Sequence, residues 1–304
     1  MFEKILVPLD GSAIAQGILP CVKTLARRFG STIVLFHAAE APVELDRQEK
    51  YAKETIDRIR SLADQYLTGV AKVLRRQRFK VEIKVGLGGV ARSITDFAET
   101  ENIDLIAMST HSRAGPARWM MGSVPDRVLR HIHKPVLLVR PMGESPVDAK
   151  PLLLKRLIVP LDGSQAAQAV LPYAREMAKT LKLEVALIQV ISAETTVQFT
   201  PMGPDTWAVP TDVLQQIDVL ASGYLAGVGK DLEREGISVR WDVLRGAPAH
   251  SIVKFAKETP GSIVAMTTHG RSGLRRWVLG SVADQVVRAS GEPVLVIRPA
   301  ATAD

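Results

Sequence analysis

A repeat constrains this chain more than any other feature. Val7-Pro8-Leu9-Asp10-Gly11-Ser12 returns unchanged as Val159-Pro160-Leu161-Asp162-Gly163-Ser164, 152 residues further on. Both copies continue through Ala-Gln (Ala15-Gln16, Ala167-Gln168) to Leu-Pro (Leu19-Pro20, Leu171-Pro172). Later, Gly122-Ser123-Val124-Pro125-Asp126 is matched by Gly280-Ser281-Val282-Ala283-Asp284, now 158 residues apart. Each copy closes on a short apolar run, residues 136–139 and 294–297, followed by Arg-Pro. The six extra residues of the second copy fall in mid-copy, where surface loops absorb insertions. A chain repeated this way folds as two like domains. The expected division is residues 1–142, a linker over 143–152, and residues 153–304.

Within a copy, apolar runs of strand length alternate with segments of helical spacing. In the first, residues 4–9, 32–37, 81–85, 103–109 and 135–140 read as strands. Residues 12–29, 49–76, 90–100 and 123–131 read as helices, the first with Ser12 as its N-cap. The second copy repeats this from 156 to 298. Apolar strands separated by helices predict an α/β fold: two domains, each a five-stranded, doubly wound parallel sheet with helices on both faces. Long loops are left after the second strand (38–47 and 192–211) and after the fourth (110–121 and 268–279). Loops longer than packing needs are often functional.

One cysteine, Cys21, excludes an internal disulfide and points to a reducing compartment. The chain begins MFEKILVPLD, unlike a secretory leader, and no run approaches the length of a membrane span, so a cytoplasmic protein is expected. Basic residues exceed acidic ones, 39 to 32, and the excess sits mainly in residues 1–150. That favours acidic ligands. Arg75, Arg76, Arg78 and Lys80 form the densest basic run. A solvated helix end, where cations complement the helix dipole, is the expected reading, without specific nucleic-acid binding.

In such a sheet, ligands sit beyond the carboxyl ends of the strands where the strand order reverses. If strands one and four flank that point, Asp10 and the loop leading to Gly122-Ser123 share a crevice. Asp162 and the loop leading to Gly280-Ser281 share another. Gly-Ser at a helix start offers backbone N–H groups and the positive end of the helix dipole to an anion. The carboxylate opposite suits a base, a sugar hydroxyl or a magnesium-bound water. N-capping and a tight turn would explain the same residues without a ligand.

At these residues the sequence resembles the universal stress protein family in its tandem form, over almost the whole chain. Nucleotide-binding members carry Gly-x2-Gly-x9-Gly-(Ser/Thr) after the fourth strand. The second copy has Thr267-Thr268-His269-Gly270, nine residues, then Gly280-Ser281, so Thr267 replaces the first glycine. The first copy has Ser109-Thr110-His111-Ser112, nine residues, then Gly122-Ser123, so both early glycines are serine. The resemblance implies strand order 3-2-1-4-5 and ATP, with or without Mg2+, as ligand. In the second copy it implies contacts from Pro160, Asp162, Val190, Met266, Thr267, His269, Gly270, Gly280, Ser281 and Val282. In the first it implies Pro8, Asp10, Ala38, Met108, Ser109, His111, Ser112, Gly122, Ser123 and Val124. The second copy is the better expected site, since a Cβ at position 112 narrows the path to the phosphates and penalises a positive φ. The family's pairing of last strands implies a pseudo-dimer of the two copies, and a homodimer stays open.

Other motifs carry less. Gly86-Leu87-Gly88-Gly89-Val90-Ala91 fits a dinucleotide fingerprint formally, but it follows the third strand and its partner Gly246-Ala247-Pro248 lacks it. His111 and His269 are expected to order the phosphate loop or touch phosphate, and the remaining histidines lack metal-ligand spacing. Cys21 reads as a small core residue. Trp119 and Trp277 share a loop slot suited to a packing lid or a dimer contact. No acid–base pair with a positioned nucleophile is visible, so a binding or signalling module is expected. Slow ATP hydrolysis, adenylate transfer and a nucleotide-free scaffold are the rivals.

Overall fold

The computed structural model describes residues 1–40, 49–110, 121–141, 146–192, 211–270 and 279–299. The chain divides into two units, Met1–Leu153 and Leu154–Asp304. Among the described residues, no helix is long and apolar enough to cross a membrane.

In the first unit the elements follow in the order β1 (Lys4–Pro8), a 3-10 turn (Ala15–Ile18), α1 (Leu19–Phe29), β2 (Thr32–Ala39), α2 (Glu49–Arg76), β3 (Lys80–Leu87), α3 (Val90–Thr100), β4 (Leu105–Ser109), α4 (Ser123–His131) and β5 (Val136–Val139). The strands pair in parallel in the order β3-β2-β1-β4-β5. Ile5, Leu6 and Val7 in β1 and Leu105, Ile106 and Ala107 in β4 are fully buried. The central strands are covered on both faces, which is why they read as unbroken apolar runs.

The second unit has β6 (Arg156–Pro160), the short α5 (Gln165–Gln168), α6 (Leu171–Leu181), β7 (Glu184–Ile191), α7 (Thr211–Arg234), β8 (Val239–Arg245), α8 (Pro248–Lys257), β9 (Ser262–Thr267), α9 (Ser281–Ala289) and β10 (Val294–Ile297). Its strand order is the same, β8-β7-β6-β9-β10, again all parallel. In both units the order reverses between the first and fourth strands, which opens a crevice at their carboxyl ends.

The helix expected over 12–29 is broken. Pro20 stands in the first turn of α1 and has no N–H to continue a helix entering from upstream. The preceding residues close a 3-10 turn instead, and Leu19 N donates to Gln16 O. Pro172 does the same for α6, leaving α5 as a separate turn capped by the Ser164 side chain.

Part of the segment between the copies is fixed to the first unit. Lys23 on α1 is fully buried, and its Nζ donates to Val147 O at 2.5 Å and Ala149 O at 2.8 Å. Thr24 Oγ1 donates to Leu152 O at 2.6 Å, and Leu152 N donates to Pro20 O at 3.0 Å.

Candidate functional site

The Asp-Gly-Ser triplet after β6 makes a tight turn. Gly163 has φ +85°, a conformation that disfavours a Cβ. Ser164 N donates to Asp162 Oδ1 at 2.9 Å, while Ser164 Oγ accepts from Ala167 N at 3.1 Å and caps α5. The carboxylate is thereby aimed across the crevice at the loop after β9.

That loop is closed at its neck. Thr268 N donates to Ile297 O at 2.8 Å, and Thr268 O accepts from Gly280 N at 2.8 Å. A Cβ on Gly280 would lie 2.7 Å from Thr268 O, so only glycine lets the neck close. Thr267 Oγ1 donates to His269 O at 2.8 Å, so threonine at the first glycine position staples the turn. Gly270 packs against the carboxylate: a Cβ there would lie 2.0 Å from Asp162 Oδ2 and 3.0 Å from its Cγ. The reason for glycine therefore differs from the one expected. Gly280 has φ −59° and Gly270 lies outside the left-handed range, so the obstacle to a side chain is collision and not backbone strain.

Gly280 is also the N-cap of α9, with no side-chain cap bond. Asp284 N donates to Gly280 O, the first intrahelical bond. The N–H groups of Ser281, Val282 and Ala283 have no intrahelical acceptor and make an anion-binding end. Asp284 itself is engaged with Arg288 at 2.8 Å one turn on, which assigns that shared motif residue to the helix.

These elements enclose a cavity of about 260 Å3. It is lined by every residue expected for the second copy: Pro160, Asp162, Val190, Met266, Thr267, His269, Gly270, Gly280, Ser281 and Val282. The same lining holds residues that sequence reasoning missed, among them Ile188, Gln189, Ser192, Ile252 and Ala283. Ile252 carried a signal, since it stands one turn after Pro248 at the start of the helix that follows the third strand. Gln189 carried none, because it interrupts a buried apolar strand without any motif.

In the first unit a smaller cavity, about 110 Å3, is lined by Pro8, Asp10, Ala38, Met108, Ser109, Gly122, Ser123 and Val124. His111, Ser112 and the two loop tryptophans, Trp119 and Trp277, lie outside the described residues. Asp10 is exposed and makes the same turn: Oδ1 accepts from Ser12 N at 3.0 Å, as Asp162 Oδ1 does from Ser164 N, and also from Ser12 Oγ at 2.6 Å. Ser109 Oγ donates to Ala15 O at 3.1 Å. The anion end of α4 differs as well. Its third residue is Pro125, which has no N–H, so α4 offers one donor fewer than α9.

A groove of about 550 Å3 between α3 and α4 adjoins this cavity through Ser123 and Val124. Its rim mixes Glu40, Asp96 and Glu99 with Arg92 and Arg127, a balance that suits no single ligand charge. Among the described residues, no group of three or more His, Cys, Asp or Glu side chains is placed to hold a metal ion.

Comparison with known proteins agrees with this architecture. A universal stress protein of Methanocaldococcus jannaschii is 32% identical over 146 residues, which is 48% of this chain and 83% of that protein. One of Mycolicibacterium smegmatis is 24% identical over 308 residues, 97% of each chain. A crystal structure of a universal stress protein from Archaeoglobus fulgidus shares the fold, with TM-score 0.69 and 22% identity over 99% of this chain and 97% of that one. The profile of the universal stress protein family matches twice, over residues 1–140 and 154–298. This chain belongs to the universal stress protein family, in the form that carries two copies of the domain.

Proposed function

We propose that this chain is a stress-response protein whose second copy binds an adenine nucleotide, ATP foremost, between the carboxyl ends of β6 and β9. The observation that carries the reading is the pairing of two chemistries across one cavity. On one wall stands the Asp162 carboxylate; on the other is the open N-terminus of α9 with Ser281, Val282 and Ala283. Phosphates suit the helix end, where backbone N–H groups and the dipole favour negative charge. The carboxylate and the apolar residues Ile188, Val190, Ile252 and Met266 suit a sugar and a flat base. Thr267, His269, Gly270, Gly280 and Ser281 would contact the nucleotide as the family pattern implies. Mg2+ would enter with the phosphates.

The first copy is the weaker site in this reading. Its helix end lacks one donor. The protein then acts as a nucleotide-dependent binding module. Its cytoplasmic location, a pseudo-dimer of the two copies through their last strands, and any homodimer belong to the same proposal. Cell fractionation tests the first, and native mass spectrometry of the full chain tests assembly.

Mass spectrometry of ligand released from the purified protein, followed by calorimetric titration with ATP, tests the central claim. The expected outcome is one adenine nucleotide bound tightly per chain, with binding weakened in Asp162→Ala. Phosphate release in the same samples measures any slow hydrolysis. Absence of binding by ATP, ADP and AMP would return the chain to the scaffold reading.

A further inference from the structure

We propose that the amino-terminal edge of the first unit is a docking surface for the phosphate backbone of duplex nucleic acid, bound without regard to sequence. Arg27 and Arg28 lie in the last turn of α1, Arg75 and Arg76 in the last turn of α2, Arg78 in the turn that follows, and Lys80 opens β3. The fold brings these three elements together. The Arg27 guanidinium lies over the Phe79 ring, 5.1 Å from its centroid. Lys80 pairs in register with Thr32, just beyond the Gly30 cap of α1. All six cations are exposed. Among the described residues none of them is in an ion pair, and the exposed acids nearest in the chain to these strand starts, Glu3 and Glu82, leave the cations in excess. Helix dipoles account for cations in the last turns, but not for Arg78 and Lys80 beyond them. This edge lies where β2 and β3 begin, whereas the crevices open at the carboxyl ends of the strands, so the surface is separate from the nucleotide site.

The repeat provides an internal comparison. At the same edge of the second unit, Thr180, Glu233, Gly236 and Ser238 stand where the first has Arg28, Arg75, Arg78 and Lys80. Cations that remain there are paired: Glu235 holds both Arg175 and Lys179 at 2.6 Å, and Asp231 holds Arg234 at 2.8 Å. The same helix ends therefore carry cancelled charge in one copy and open charge in the other. Arg78 has φ +66°, in the turn where the second copy has Gly236 at +79°. An arginine in the left-handed region stands at a conformational cost that glycine avoids. Five of the six cations are arginines, whose planar fork takes two phosphate oxygens at once. A duplex carries about one charge per 1.7 Å of its axis, dense enough to neutralise several of them together. Phe79 is 8% exposed beneath Arg27 and cannot stack on a base, so the surface meets backbone and not sequence. These helix and strand ends expose no large apolar side chain of the kind that a bilayer-binding surface buries among headgroups.

The test uses the full chain and the fluorescence anisotropy of two labelled DNA duplexes of unrelated sequence. Both should bind equally, and the affinity should fall about a hundredfold between about 50 and 200 mM salt, as for about four phosphates neutralised. A triple variant, Arg28→Thr with Arg75→Glu and Arg78→Gly, installs the second copy's residues and should bind about tenfold more weakly or worse at the lower salt. Lys230→Glu with Lys257→Glu makes the same change of net charge on the second unit and should stay within about twofold of the wild type. Arg78→Gly alone should lower the salt slope by about one, which preserves the test if thermal melts show the triple variant to be misfolded. Equal losses in the triple variant and the lysine pair would reduce the effect to net charge and overturn the proposal. So would no binding to either duplex, or a marked preference for one of them. Tighter binding to vesicles of phosphatidylcholine and phosphatidylserine, or to poly-glutamate, than to the duplexes would overturn it in favour of a membrane or an acidic protein segment.

Discussion

Asp162 and Gly270 stand 108 residues apart in the chain and touch across the crevice, and their contact explains more of the site than either motif alone. Any side chain at 270 must expel the carboxylate, since the added Cβ would fall 2.0 Å from Asp162 Oδ2. Gly270→Ser should therefore weaken ATP binding by the same route as Asp162→Ala. The two effects should then not add: in an Asp162→Ala background, Gly270→Ser should be nearly silent, with a coupling of about 0.5–3 kcal/mol. Calorimetry on the four proteins of that cycle decides it, and simple additivity would mean that glycine serves the phosphate path directly. The sequence made this glycine legible as a family position but not its cause, because the cause is a long-range contact. Cys21 was legible by contrast. It lies in the core at 1% exposure, and burial pushes its thiol pKa up to about 12. The thiolate is the reactive form, so the native protein at pH 8 should not label with a thiol reagent, and unfolding in guanidinium should restore one reactive group. Labelling of the folded protein would place Cys21 outside the core.

At the level of elements, helix ends carry the difference between the copies. Pro125 and Ala283 are the third residues of α4 and α9. A proline there leaves the helix intact, as α4 demonstrates, because the third N–H has no intrahelical acceptor to lose. Ala283→Pro should thus fold normally while removing one phosphate donor. ATP affinity should fall by about 1.5–3 kcal/mol, the range for a hydrogen bond to a charged group. Adenosine affinity should not change, and equal losses for both ligands would show that the substitution disturbs the whole cavity. Elements with regular apolar spacing were legible in the sequence: α2, α3 and α4 lie where their spacing puts them, and β1 to β5 differ by a residue or two at their ends. The break before α1 was not. The spacing of residues 12–29 is helical throughout, but the missing N–H of Pro20 and the Asp10–Ser12 turn override it. Boundaries of that kind depend on single hydrogen bonds, to which hydrophobic periodicity is blind.

At the scale of the whole chain, the segment that joins the two copies is more than a tether. Residues 147–152 carry four hydrogen bonds to α1, two of them from a lysine with no solvent exposure. Burial holds the Lys23 pKa below its ordinary value of 10.5, with nearby Asp148 opposing that shift and Arg27 adding to it. Between the depressed value and 10.5 the unfolded chain binds more protons than the folded one, so the contribution of this site to stability rises with pH across that window. A neutral amine still has two N–H donors for two carbonyls, so the strap keeps its bonds there. Composition alone marked residues 143–152 as a linker, since Pro, Gly and Ser are common to linkers and to straps, and a partner lysine more than 120 residues upstream leaves no local trace. The consequence is testable with two versions of the first copy, one ending at residue 142 and one at 153. They share every strand and helix described for this unit and differ only in the strap. At about 0.5–1.5 kcal/mol per hydrogen bond, partly offset by rehydration of Lys23, the shorter version should be less stable by roughly 2 kcal/mol, and should melt several degrees lower. Lys23→Met in the longer version should reproduce much of that loss of stability while also lowering the hydrogen-exchange protection of the Leu152 N–H, whose bond to Pro20 O depends on the strap staying seated. Equal melting temperatures for the two lengths would show that the strap rests on α1 without supporting it.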